Sequence, residues 1–180
     1  TLKDIQLIYR FSFEKDKNPF SISDYDFILR EVKDEDISQI IEIAKLSFNN
    51  YGHYFADEKL DKIKCLEIYT DWAKRICTEK EFADTVIVAE KNNEIAGFLS
   101  FKILKDDNIA FASLGAVSKK FRGLGVFQAI NLKGISLMKS LGVQGVQTNV
   151  LNTNYQVNKS YIELGFKIIK SEITMHFWYD

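Results

Sequence analysis

Proline is almost missing from this chain. Pro19 is the single one in 180 residues, and no low-complexity tract or internal repeat accompanies it. One compact domain, long enough to bury a real core, is the expectation. No apolar run approaches the ~20 residues that span a bilayer, and no signal-peptide pattern opens the chain, so no membrane partner is expected. Neither sign of charge dominates. The 24 basic and 25 acidic residues nearly cancel and leave no broad basic footprint for nucleic acid. Cysteine is scarce too: Cys65 and Cys77 fall on one predicted helix, ~18 Å apart at ~1.5 Å per residue. They cannot pair there, which suits a reducing cytoplasm. Neither has neighbours that would make a metal site.

What is present is ordered patterning. Ile5, Leu7, Tyr9, Phe11 and Phe13 alternate with mostly polar residues, as in a half-buried strand. The polar stretch Glu14 to Asp26 then reads as a boundary, so residues 1–26 are expected to be a lead-in and 27–180 the domain proper. Phe27 to Val32 reads as a short strand. Asp34 offers an N-cap, with Glu35 and Asp36 in a first turn that favours acids. Ile37, Ile40, Ile41, Ala44 and Phe48 follow at helical spacing. A second helix is predicted from Asp57 to Cys77, with Cys65, Ile68, Tyr69, Trp72 and Ile76 as its stripe.

Three strands in a meander come next, Thr85–Ala89, Ile95–Leu104 and Ile109–Val117. A helix carrying Val126, Ile130, Leu137, Met138 and Leu141 on its core face stops near Gly142. Val143 to Val150 reads as a strand. Asn154 to Leu164 reads as a helix closed by Gly165, and Phe166–Ile169 and Ile173–Trp178 as two final strands.

Between the third meander strand and its helix lies Arg122-Gly123-Leu124-Gly125. Such a corner leaves backbone N–H groups unpaired at the positive end of a helix dipole, and its glycines admit a ligand close to the main chain. That is an anion site, suited to a phosphate or pyrophosphate. No Lys-Ser or Lys-Thr pair follows as in a P-loop, and the third glycine position of a dinucleotide fingerprint holds Gln128. An ordinary glycine-rich corner is the alternative.

Arg122-Gly123-Leu124-Gly125-Val126-Phe127 resembles the Arg/Gln-x-x-Gly-x-Gly/Ala motif of the GNAT N-acetyltransferases, with Phe127 where a small residue is usual. Asn154-x-x-Val157-x-x-x-Tyr161-x-x-x-Gly165-Phe166 is similar to the second signature of that family. The resemblance covers residues 27–180. It implies an α/β (α+β) GNAT acyl-CoA N-acyltransferase fold: a mixed, mostly antiparallel sheet with helices on both faces. It implies acetyl-CoA as co-substrate and a small amine as acceptor. Main-chain groups of Leu114, Ala116 and Val117 would then bind the pantetheine arm where two strands diverge, together with Asn154, and the 122–127 loop would hold the pyrophosphate. An amine attacks the thioester in a ternary complex, and Tyr161 gives a proton to the departing thiolate, a phenol of pKa ~10 facing a thiol of ~8.5. Packing under the sheet is the alternative for Tyr161, and an N-cap for Asn154.

His53-Tyr54-Phe55-Ala56-Asp57, with Tyr69-x-x-Trp72 downstream and Thr174 to Trp178 at the end, resembles the dTDP-4-amino-4,6-dideoxygalactose (dTDP-fucosamine) N-acetyltransferases. That implies a nucleotide-linked amino sugar as acceptor, met by His53, Tyr54 and Asp57. His53 is also a candidate base, Asp57 alternatively a helix cap, and His176 a structural histidine. Amino acids, polyamines and protein amines stay open as acceptors, as do a non-catalytic module that binds coenzyme A and a homodimeric assembly.

Overall fold

The computed structural model describes residues 1–16 and 21–179. The element order is β1 (Leu2–Ser12), β2 (Ile28–Glu31), α1 (Ile37–Ser47), α2 (Gly52–Phe55), α3 (Lys62–Thr78), β3 (Thr85–Lys91), β4 (Glu94–Leu104), β5 (Ile109–Val117), α4 (Val126–Ser140), β6 (Gly145–Leu151), α5 (Tyr155–Glu163) and β7 (Lys167–Met175). The seven strands form one sheet in the order β2-β3-β4-β5-β6-β1-β7. Every pairing is antiparallel except β5 with β6.

Strand residues alternate between two cores. Ile87, Ala89, Leu99 and Phe101 meet α4 and the buried end of α5, while Val86, Val88, Ile95 and Phe98 meet α1 and α3. Contact with α4 is close at Gly134, where a Cβ would stand 2.1 Å from the Phe101 ring. Glycine is therefore required at that helical position despite its cost of ~1 kcal/mol against alanine.

The sheet corrects the expected boundary. The strand assigned to a lead-in is an interior strand, paired on one side with β6 (Leu7 with Val150) and on the other with β7 (Leu7 with Ser171). Ile8, Tyr9 and Phe11 are buried, so it is covered on both faces rather than half-buried. Part of the polar stretch after it, residues 17–20, lies outside the described residues. At the other end a single strand, β7, replaces the two predicted from Phe166 to Trp178. The front of the chain thus supplies a strand to the sheet, where the sequence pattern placed two at its end.

Helix starts differ as well. Asp61, not Asp57, caps α3, accepting from the amides of Ile63 (2.8 Å) and Lys64 (3.3 Å). Ahead of α1 a 3-10 turn spans Asp34–Asp36. There the buried Asp36, rather than Asp34, accepts from the Lys33 amide (2.8 Å) and from two nitrogens of Arg30 (2.6 and 2.9 Å). Arg30 also reaches Glu90 on β3. Leu141 and Ile68, both expected in the core, are exposed. Cys65 and Cys77 are free thiols on α3. Among the described residues no helix is long and apolar enough to cross a membrane, and no metal-ligating cluster forms.

Candidate active site

The site begins at a bulge. Across β4 and β5 the register runs Leu99 to Gly115 and then Phe101 to Ala112, so Ser113 and Leu114 both oppose Ser100. An extra residue bends its strand and interrupts the ladder. Ser100 satisfies the displaced backbone: its buried hydroxyl accepts from the Leu114 N–H (3.0 Å) and lies 3.1 Å from the Leu114 carbonyl as a donor. β5 pairs with β6 only from Ala110 to Ala112, opposite Val146 to Thr148. The two strands part at the bulge. From Ser113 to Val117 β5 has no β6 partner, and an edge of main chain opens onto a cleft of about 1690 Å³.

One mouth of the cleft is the glycine loop. Gly123 (φ +80°) and Gly125 (φ +78°) adopt left-handed conformations that disfavour a Cβ. Gly125 is moreover pressed on by Tyr25, whose ring would lie 2.5 Å from a Cβ there. The first amide to bond within α4 is that of Ala129, to the Gly125 carbonyl at 3.0 Å. The N–H groups of Val126, Phe127 and Gln128 are left without intrahelical acceptors at the positive helix end. Arg122 reaches back to the Val117 carbonyl (3.4 Å). Phe127 turns its ring inward, edge-on to Tyr161 at 5.2 Å, which leaves the amide cradle clear. Leu124 departs from expectation: it is 55% exposed and does not line the cleft.

Tyr161 lies on the floor, 2% exposed, with its ring stacked on Tyr9 (5.7 Å) and edge-on to Phe166 (4.9 Å). Thr148 and Asn131 are the polar side chains beside its hydroxyl, and burial pushes the phenol pKa well above its ordinary value. The ring packs in the core, as one reading of the sequence expects, and the residue borders the cleft. Asn154 caps α5, accepting from the Val157 amide at 3.4 Å, and also borders the cleft.

The far end is aromatic. Tyr51, His53, Tyr54, Tyr69 and Trp72 line it, and Tyr69 donates to the Tyr51 carbonyl (3.2 Å). Asp57 is not among them. It is 1% exposed, and its carboxylate accepts from His176 Nδ1 (2.5 Å), Trp178 Nε1 (3.0 Å) and the Lys59 amide (3.0 Å). Burial opposes that charge, but these donors and the ammonium of Lys3 outweigh it and hold the carboxyl far below the usual range. The expected direct contact with substrate is therefore corrected, because its oxygens are already engaged. His176, expected to be a structural histidine, has its second nitrogen 3.0 Å from His53 Nδ1.

Sequence reading missed Asp4, Gln6 and Tyr25, all of which border the cleft. Both carboxylate oxygens of Asp4 and Asn149 Oδ1 are buried there with no partner among the described residues, although buried polar groups are ordinarily bonded. The signal was the Leu7-Ile8-Tyr9 triplet, whose unbroken apolar run marks a strand buried on both faces and hence inside the sheet.

The sequence model of the Acetyltransferase (GNAT) family matches residues 37–166. Among solved structures, a PaiA N-acetyltransferase from Thermoplasma acidophilum in complex with coenzyme A is similar at 18% identity. The match covers 79% of this chain and 90% of that one, with a TM-score of 0.60. A GNAT-family acetyltransferase from Colwellia psychrerythraea is similar at 13% identity, over 96% of this chain and 55% of that one, with a TM-score of 0.62. A GCN5-related N-acetyltransferase from Sphaerobacter thermophilus is similar at 12% identity, over 96% and 51%, with a TM-score of 0.65. The chain thus spans about half the length of the last two. No curated protein matches the chain in sequence.

Proposed function

The chain belongs to the acetyltransferase (GNAT) family, and from that premise we propose that it transfers an acetyl group from acetyl-CoA to the primary amine of a nucleotide-linked amino sugar, directly, in a ternary complex. The observation that carries this reading is the continuity of one cleft from the free amides of the glycine loop, past the open edge of β5, to the aromatic end.

The fit to coenzyme A rests on the chain's own groups. Amides of Val126, Phe127 and Gln128 suit the pyrophosphate, and the Ser113–Val117 main chain suits pantetheine amides as an added strand would. Asn154 closes that arm. When bound, acetyl-CoA supplies an acyl thioester and a thiol of pKa ~8.5 as leaving group. Tyr161 holds its proton on the phenolic oxygen through the neutral range, because burial raises its pKa, and delivers it to the departing sulfur. His53 and Tyr54, with Tyr51 and Trp72, supply aromatic faces on which a base or sugar ring stacks.

The test is thiol release from acetyl-CoA with a panel of nucleotide amino sugars, amino acids, polyamines and a lysine peptide. Selective turnover of nucleotide amino sugars supports the reading. Selective turnover of another class reassigns the acceptor, and tight coenzyme A binding with no turnover at all removes the catalytic claim.

A further inference from the structure

Three side chains from different parts of the chain form a line that ends in the cleft. Asp57 Oδ2 lies 2.5 Å from His176 Nδ1, and His176 Nε2 lies 3.0 Å from His53 Nδ1. The carboxylate can only accept, so His176 Nδ1 carries a hydrogen. In the neutral ring its Nε2 is then an acceptor, and His53 Nδ1 must be the donor toward it. His53 Nε2 is left with a lone pair, on a residue that borders the cleft. The tautomer of each ring follows from the one behind it.

Asp4 on β1 completes the arrangement. Its two oxygens are buried without a partner among the described residues, and its charge acts on His53 in the direction that favours the imidazolium. Burial, the largest influence, and His176, the smallest, act the other way and leave the His53 pKa below its ordinary value. The remaining faces of the His53 ring meet neutral groups, Tyr54 at 4.0 Å between centroids and His176 edge-on at 5.2 Å. Lys3 points to Asp57 instead (3.6 Å).

We propose that His53, held by the Asp57–His176 relay, is the cleft's proton acceptor and that Asp4 is the docking group for the acceptor's ammonium. This rests on the amine-acetyltransferase reading. The ammonium lies against Asp4 and gives one proton to His53 Nε2, which leaves a neutral amine with a free lone pair and an imidazolium. The Nδ1–H of that imidazolium still bonds His176, and its charge is balanced by Asp4 and, through His176, by Asp57. His176 and Asp57 are positioning residues. A cationic acceptor is thus selected over a neutral one by a carboxylate that has no other partner among the described residues.

The chain has two histidines, so ¹⁵N ring NMR of the intact protein reports both directly, without any acceptor. The expected spectrum at neutral pH shows both rings as Nδ1–H tautomers, with His53 titrating below ~6.5, the ordinary value. Asp4→Asn should lower the His53 pKa further, and Asp57→Asn should scramble the His176 tautomer. An Nε2–H tautomer at His53, or a His53 titration unmoved by Asp4→Asn, overturns the proposal, and the wild-type spectrum alone decides the first point even if a variant fails to fold.

Kinetics supply the second readout, on whichever panel amine is acetylated. His53→Gln should cost ~10²–10⁴-fold in turnover and abolish the acid limb of the pH profile. Asp4→Asn should raise the acceptor KM and leave the coenzyme A Kd unchanged, and an unchanged acceptor KM refutes the docking role. If no amine on the panel is acetylated, the acetyltransferase reading fails and the docking role of Asp4 falls with it, while the NMR result still settles the relay.

Discussion

Tyr161 and Gly123 make the sharpest tests at the scale of single residues. Tyr161→Phe removes one hydroxyl and leaves three aromatic contacts in place, so fold and coenzyme A affinity should persist. Turnover should fall by ~10²–10⁴-fold, the usual share of general acid catalysis, and the deficit should shrink with a donor whose thiol is more acidic. Near-parent turnover measured with both donors would return the residue to packing alone. Gly123 is the better probe of the anion cradle than Gly125. Both have positive φ, but a Cβ at Gly123 meets nothing within 4 Å, whereas at Gly125 it collides with Tyr25. Gly123→Asp therefore adds a charge with little steric cost, and aspartate tolerates the left-handed region better than most residues. Calorimetry should show acetyl-CoA affinity reduced more than tenfold, a loss of at least ~1.4 kcal/mol; an unchanged value would take the loop out of the site.

At the scale of elements the cleft depends on one serine. Ser100→Ala would leave the Leu114 N–H and carbonyl unsatisfied in a buried position, at a cost of ~1–3 kcal/mol. Denaturant melts should register that loss together with weakened coenzyme A binding, because the same bulge holds β5 away from β6. A loss of stability with unaltered affinity would mean that the strands part for another reason. Of two buried carboxylates, Asp36 ties β2 to the turn that opens α1, and Asp57 fastens segments far apart in sequence. Asp36 is held low first by Arg30, against burial, and then by the Lys33 amide; Asp57 is held low by His176, the Lys59 amide and Trp178, against burial. Folded values below the unfolded ~3.9 mean that the unfolded chain binds more protons. Their stabilisation is complete above that pH and drains away as pH falls through the folded values. Thermal melts from pH 6 to pH 2 should show Tm nearly level at first and dropping steeply below about 4, with the drop blunted in Asp36→Asn.

Local grammar was readable where one element decides it. The glycine loop, the Asn154 cap and the β3–β4–β5 meander follow from residues a few positions apart. The bulge did not announce itself, because a buried serine inside Ala96-Gly97-Phe98-Leu99-Ser100-Phe101 looks like noise until its partner Leu114 is known. Asp57 looked like a helix cap because an acid before a helical stripe usually is one. Its partners, His176 and Trp178, stand at the other end of the chain, and no local pattern announces a bond of that span.

For the whole molecule the decisive element is β1. It contributes Ile8, Tyr9 and Phe11 to the core, Asp4 and Gln6 to the cleft, and a ladder to each of β6 and β7. Removing residues 1–13 should strip both neighbours of a partner. Thermal melting of the truncated chain should then lose its sharp cooperative transition, and a parent-like transition would show that β1 is dispensable after all.

That placement has a consequence for how the protein is made. β1 is synthesised before the other strands of its sheet, yet Gln6 pairs with Leu151 and Leu7 with Ser171, residues made only after β2 to β5 and α1 to α4. A nascent chain must keep this apolar segment unclaimed while the meander and α4 assemble, and then close a loop around those elements, an entropically slow event. Such an unpaired strand is a place for association between chains during synthesis. The aspartate of the cleft is made before the rest of its sheet and installed after most of it.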